Sequence, residues 1–161
     1  MSSGGVSNGG FSNGGFSNGG VSNGGVSKQI ISNFESREAF LNLLKVNPGL
    51  IIVKLGASWC GPCKQIAHIV EAFFATSPSN VICADIDVDE SIDLYAYLKH
   101  RRMVNGIPVM LMYKKGNHDF APNDSVTGAN PNDLDAFFKR CGLHLAAIQK
   151  AESLLILPNR K

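Results

Sequence analysis

The sequence predicts an α/β domain, a central sheet containing parallel strands with helices on both of its faces. Apolar segments of strand length alternate with segments of helical period in the order β-α-β-α-β-α-β. One of these segments, residues 50–55, is almost continuously apolar, as a strand buried on both faces must be. That strand leads directly into a helix opening near Cys60, the short connection expected of a βαβ unit.

Taken in order, residues 29–32 form a short apolar segment. Ser36 can cap a helix running through Val46, whose Ala39, Phe40, Leu43 and Leu44 share one face, and Pro48-Gly49 stops it. After the 50–55 strand, the helix from Cys60 carries Ile66, Ile69, Val70, Phe73 and Phe74 at helical spacing. Ser77-Pro78 breaks that helix ahead of a strand at 80–88, a helix at about 90–102 and a strand at 109–113. Lys114-Lys115-Gly116-Asn117 reads as a hairpin turn into a last strand near 125–128, which makes the sheet a mixed one of four to five strands. A final helix at 132–141 buries Leu134, Phe137, Phe138 and Cys141.

The chain has 161 residues, and all 15 Lys and Arg and all 13 Asp and Glu fall between Lys28 and Lys161. Residues 1–27 carry no charge, hold 10 of the 17 glycines, and place Val6, Phe11, Phe16, Val21 and Val26 at a strict period of five. That period fits neither helix nor strand, and paired glycines lose the most backbone entropy on ordering, so a disordered arm is expected there. Its spaced Phe and Val offer weak contacts for self-association or for a partner. Residues 28–142 then form the folded domain and 143–161 a C-terminal extension. A formal charge of +2 with acids and bases interleaved provides no basic stripe, so nucleic acid is not an expected partner. No apolar run is long enough to span a membrane, and the one at 154–157 reads equally as a helix end packed on the domain or as a patch for a partner. The N-terminus has no basic flank followed by an apolar stretch, which makes a reducing, cytoplasmic compartment the expectation.

Trp59-Cys60-Gly61-Pro62-Cys63 falls where the 50–55 strand turns into its helix. Two cysteines three apart in a first helical turn can close a small disulfide ring. The unpaired N–H groups and the dipole of the helix N-terminus favour a thiolate at Cys60, lowering its pKa by roughly one to several units. Cys60 is then expected to be the exposed, attacking sulfur and Cys63 the buried, resolving one. Gly61 permits close backbone approach, Pro62 is tolerated where its missing N–H has no helical partner, and Trp59 screens the site. Read as half of a zinc site, the pair lacks support, because neither Cys83 nor Cys141 has a neighbouring Cys or His at ligand spacing. Cys83 and Cys141 read as small core hydrophobes, His68 as a residue at a solvent edge, and the alternating Asp85, Asp87 and Asp89 lack the glycine-centred spacing of a calcium loop.

The WCGPC pentapeptide in this context resembles the thioredoxin family, over about residues 28–142. The resemblance implies a thioredoxin fold and a thiol–disulfide oxidoreductase that reduces protein disulfides through a redox-active Cys60–Cys63 pair, with no bound cofactor. A thioredoxin reductase or a glutathione-type donor would return it to the dithiol. Ile107-Pro108 matches the family's cis-proline, which lies against the disulfide and holds substrate. Gly128 matches the glycine before the last helix, and Lys64 also fits. The Gly-Pro dipeptide resembles that of reducing members.

Several positions depart from the family. Lys54, six residues before Cys60, stands where a buried acid is usual, and Asp85 where many bacterial-type members carry a lysine, so the two resemble the same ion pair with its signs exchanged. His68 replaces a helix-kinking proline, and residues 89–108 are about one helical turn longer than usual. A contrasting reading is a non-catalytic thioredoxin-fold module, tethered by its Gly-rich arm in a larger assembly, or one bridging a metal or iron–sulfur cluster between subunits.

Overall fold

A computed structural model describes residues 28–156 and, upstream of them, 21–22 and 25–26. Two short strands, β1 (Val21–Ser22) and β2 (Gly25–Val26), pair antiparallel with Val21 opposite Val26. The rest of the arm lies outside the described residues.

The domain continues with β3 (Ile30–Ile31), α1 (Arg37–Leu44), β4 (Leu50–Gly56), α2 (Gly61–Thr76), β5 (Val81–Asp87), α3 (Ile92–His100), β6 (Val109–Lys114), β7 (Asp124–Thr127) and α4 (Pro131–Ile156). Its five strands form one sheet in the order β3-β5-β4-β6-β7. β3, β5 and β4 run parallel, whereas β6 and β7 are antiparallel to their neighbours. The predicted mixed sheet is the observed one.

Alternation along β4 divides the core in two. Ile51, Val53 and Leu55 pack with Phe40 and Leu44 of α1 and Leu94 and Leu98 of α3. Leu50 and Ile52 pack on the other face with Ile66, Val70 and Phe74 of α2 and Leu134, Phe137 and Leu145 of α4. All seven residues of β4 are buried, which is why its sequence reads as an apolar run rather than an alternation.

Ser36 caps α1 as expected, its hydroxyl accepting the Ala39 N–H at 3.2 Å. α3 is shorter at both ends than its apolar pattern suggests. The Ser91 hydroxyl accepts the buried Phe34 N–H at 2.9 Å instead of capping the helix, and Arg102 turns left-handed at φ 63° while the Met103 N–H returns to the Leu98 carbonyl. The turn at 114–117 is present, with Gly116 at φ 93°, but the connection to β7 continues to Asn123, and Tyr113 donates its hydroxyl to the Phe120 carbonyl across it. α4 runs unbroken to Ile156, well past the expected end at Cys141. Leu145 continues its buried stripe, Ile148 packs beside it, and Lys115 reaches across to Glu152. Gly142 inside it costs about 1 kcal/mol relative to alanine, too little to end a helix that is packed on both sides of that position. At its end Leu154, Leu155 and Ile156 are exposed.

Candidate active site

The end of β4 delivers the chain to the N-terminus of α2. Cys60 is the N-cap, in extended conformation, and its sulfur accepts the Cys63 N–H at 3.2 Å. Pro62 sits in the first turn, where no helical acceptor is available to an N–H. Cys60 and Cys63 are joined in a disulfide with Cα atoms 5.3 Å apart, a separation ordinary for such a bond.

The expected difference in exposure between the two sulfurs is absent. Cys60 and Cys63 are each 4% exposed, because the N-cap geometry folds the Cys60 side chain back onto the helix end instead of outward. What distinguishes them is their surroundings. Cys60 Sγ meets the Cys63 N–H at the helix terminus, whereas Cys63 Sγ lies against Gly56, where an added Cβ would be 3.2 Å from it.

Trp59 is 67% exposed and donates its indole N–H to Asp89 at 2.8 Å. Asp87 accepts the Ser58 N–H at 3.1 Å and the Asp89 N–H at 2.8 Å. Asp87 at the end of β5 and Asp89 just beyond it therefore tie down the loop that carries Trp59 and Cys60. Among the described residues no group of three or more His, Cys, Asp or Glu is placed to hold a metal.

The Ile107–Pro108 peptide is cis, Pro108 is buried, and its carbonyl accepts the Gly128 N–H at 2.8 Å. Gly128 adopts φ 102°, a conformation that favours glycine. Ile107 packs against the cluster that contains Cys60 and Cys63. Lys54 and Asp85 are register partners in β4 and β5, with Nζ 3.4 Å from Oδ1. Gly61 and Lys64 are exposed on the first turns of α2, and His68 is exposed one turn beyond.

Cys83 and Cys141 stay apart from this site, buried and free on the α2/α4 face. Burial, reinforced by the nearby Asp124 carboxylate, pushes the Cys141 thiol up to about 12. Burial also raises that of Cys83, against the opposing effect of the Ser77 hydroxyl. Three residues of the site escaped the sequence reading. Gly56 gives no signal beyond a glycine at a strand end, and Asp87 and Asp89 were visible only as an acidic alternation weighed for metal.

A mixed sheet whose central strand feeds a CxxC disulfide at a helix N-terminus, with a cis-proline ahead of β6, defines a thiol–disulfide oxidoreductase. The thioredoxin family model matches residues 32–140. The chain is 33% identical to a thioredoxin of Coprinus comatus over 113 residues, 70% of this chain and 95% of that protein. It is 32% identical to a thioredoxin of Equus caballus over 111 residues, 68% of this chain and 97% of that one. A solved thioredoxin of Trichomonas vaginalis superposes with a TM-score of 0.56 at 28% identity, over 68% of this chain and 95% of its own. The chain belongs to the thioredoxin family, and its Cys60–Cys63 pair serves protein-disulfide reduction.

Proposed function

We propose that Cys60 is the attacking sulfur and Cys63 the resolving one. In the reduced protein the Cys60 thiolate attacks one sulfur of a substrate disulfide. A Cys60–substrate bond forms, the substrate S–S bond breaks, and the departing sulfur leaves as a thiolate that takes a proton from water. The Cys63 thiolate then attacks Cys60 Sγ, closing the Cys60–Cys63 disulfide and expelling the second substrate sulfur, so two electrons pass from the dithiol to the substrate. The observation that carries this assignment is the 3.2 Å approach of the Cys63 N–H to Cys60 Sγ, since a helix-terminal N–H favours a negative sulfur.

Pro108, Ile107 and Gly128 are the proposed substrate-binding segment. The oxidised pair is returned to the dithiol by a thioredoxin reductase or by a glutathione-type donor. The two further cysteines, free and buried, suit a reducing compartment such as the cytoplasm. The test is reduction of a two-chain protein held together by disulfides, with electrons supplied either through a flavoprotein reductase and NADPH or through glutathione. Turnover with one source and not the other identifies the donor. Turnover with neither, in protein shown to contain the reduced pair, contradicts the proposal.

A further inference from the structure

Lys54 stands in the middle of β4 between the fully buried Val53 and Leu55, and is itself only 7% exposed. Alternation turns it toward α2, onto the face where Leu50 and Ile52 pack. A lone ammonium in such a place is expensive, and the parallel register supplies its counter-charge in Asp85, at 3.4 Å. The pair borders a cleft of about 240 Å3 that Cys63 also lines. Gly56 keeps the space between them open. A Cβ built there would lie 3.2 Å from Cys63 Sγ and 3.6 Å from Lys54 Cε, so the sulfur and the end of the lysine stem flank one gap, within about 7 Å of each other. That is inside the screening length of about 8 Å at physiological salt, and the pair is largely shielded from that salt by burial.

We propose that the Lys54 ammonium, held in place by Asp85, stabilises the thiolate of Cys63 and so promotes the step in which Cys63 resolves the mixed disulfide. Lys54 is thus a positioning residue acting through Cys63, and the proposal rests on Cys63 being the resolving sulfur. As Cys63 ionises, its proton leaves to solvent through the cleft. Its electron pair then forms the bond to Cys60 Sγ while the Cys60–substrate bond breaks toward the substrate sulfur, which leaves as a thiolate. The other charged groups on the cleft are Lys64 on α2, Asp87 on β5 and Glu90 just beyond it. Asp87 is engaged by two backbone N–H groups, and Lys64 and Glu90 are exposed, which leaves Lys54 as the buried cation on this side of the sulfur.

The experiment uses the full reduced chain and the aromatic disulfide of thionitrobenzoate in stopped flow. The first thionitrobenzoate is released in a bimolecular phase by Cys60, and the second in a concentration-independent phase by Cys63. Lys54→Met is expected to move the midpoint of the second phase's pH profile upward by on the order of one unit. Below the midpoint the rate falls about threefold to fourfold, less than the tenfold loss of thiolate, because a less acidic thiol is the better nucleophile. Asp85→Asn, which removes the counter-charge and leaves the cation, is expected to move the midpoint downward. A merely structural role for the pair does not produce opposite shifts. An unmoved midpoint in Lys54→Met, or shifts in the same direction, overturns the proposal. Should Lys54→Met fail to fold, Asp85→Asn decides alone: a lowered midpoint supports the proposal, and an unchanged or raised one overturns it. Absence of the first phase would instead count against Cys60 as the attacking sulfur, so the two assignments fail separately.

Discussion

Removing Asp85 destabilises the protein more than removing Lys54, although both changes delete the same ion pair. The Lys54 side chain is 9% exposed and that of Asp85 36%, with 3.4 Å between their charges. At an effective dielectric of about 20 the gross attraction at that distance is about 5 kcal/mol, and the burial of the ammonium offsets most of it. Asp85→Ala leaves the buried cation without its partner. For a fully buried pair that costs about 3–5 kcal/mol, and the partial exposure of Asp85, which admits water, brings it to about 2–3 kcal/mol. Lys54→Met keeps an apolar stem of similar length and removes the charge, so its cost stays below about 1 kcal/mol. Denaturant unfolding of the oxidised protein measures both. In thermal unfolding, at about 4 °C per kcal/mol for a folded unit of this size, the aspartate variant melts some 8–12 °C lower and the lysine variant no more than about 4 °C lower. In the double variant the penalty of losing Asp85 largely disappears. Effects that add to within about 0.5 kcal/mol, or a Lys54→Met variant costlier than Asp85→Ala, would refute this account of the pair.

Burial keeps Cys83 and Cys141 protonated at neutral pH, so brief alkylation of the native reduced chain labels Cys60 and leaves both of them free. Peptide mass spectrometry after denaturing and counter-labelling checks it. Arg140 grips Asp124 at 2.7 Å and holds its carboxyl below the usual range. A carboxyl lowered in this way contributes stability that is present above its unfolded-state pKa of about 4 and is lost as the pH falls through the folded value. Asp124→Asn is therefore expected to lower stability at pH 7 by no more than about 1 kcal/mol, since the pair is partly solvated, and to flatten the acid limb of the stability profile followed by circular dichroism. Among the described residues every buried core residue lies at or beyond Ile31, and a glycine-rich arm without charged side chains is a poor core former, so deleting residues 1–27 is expected to leave both the melting temperature and disulfide reduction close to those of the full chain.

The order of the domain's elements was legible because β4 is almost continuously apolar and each flanking helix carries a 3.6-residue stripe. Lys54 breaks that run, which signals the need for a partner, while Asp85 as that partner came from the family resemblance, and the register sets the two side by side. The site's centre was legible for a different reason: Cys60, Pro62 and Cys63 obey the rules of a helix N-terminus, which are local. What depends on tertiary approach was hidden. The closeness of Gly56 to the Cys63 sulfur and the hydrogen bond from Trp59 to Asp89 bring together residues from separate elements, and no spacing encodes them. The final helix, expected to end at Cys141, runs on to Ile156 because Leu145 and Ile148 extend its packed stripe.

The central claim is that the two sulfurs divide the work, Cys60 attacking and Cys63 resolving, and trapping tests it most directly. Reduced Cys63→Ser and Cys60→Ser variants are each incubated with a disulfide-bonded protein and separated without reductant, and the adducts are sized by mass spectrometry. The account predicts a stable mixed disulfide through Cys60 in Cys63→Ser, and neither adduct nor turnover in Cys60→Ser. Equal trapping by the two variants, or an adduct carried on Cys63 alone, would contradict it.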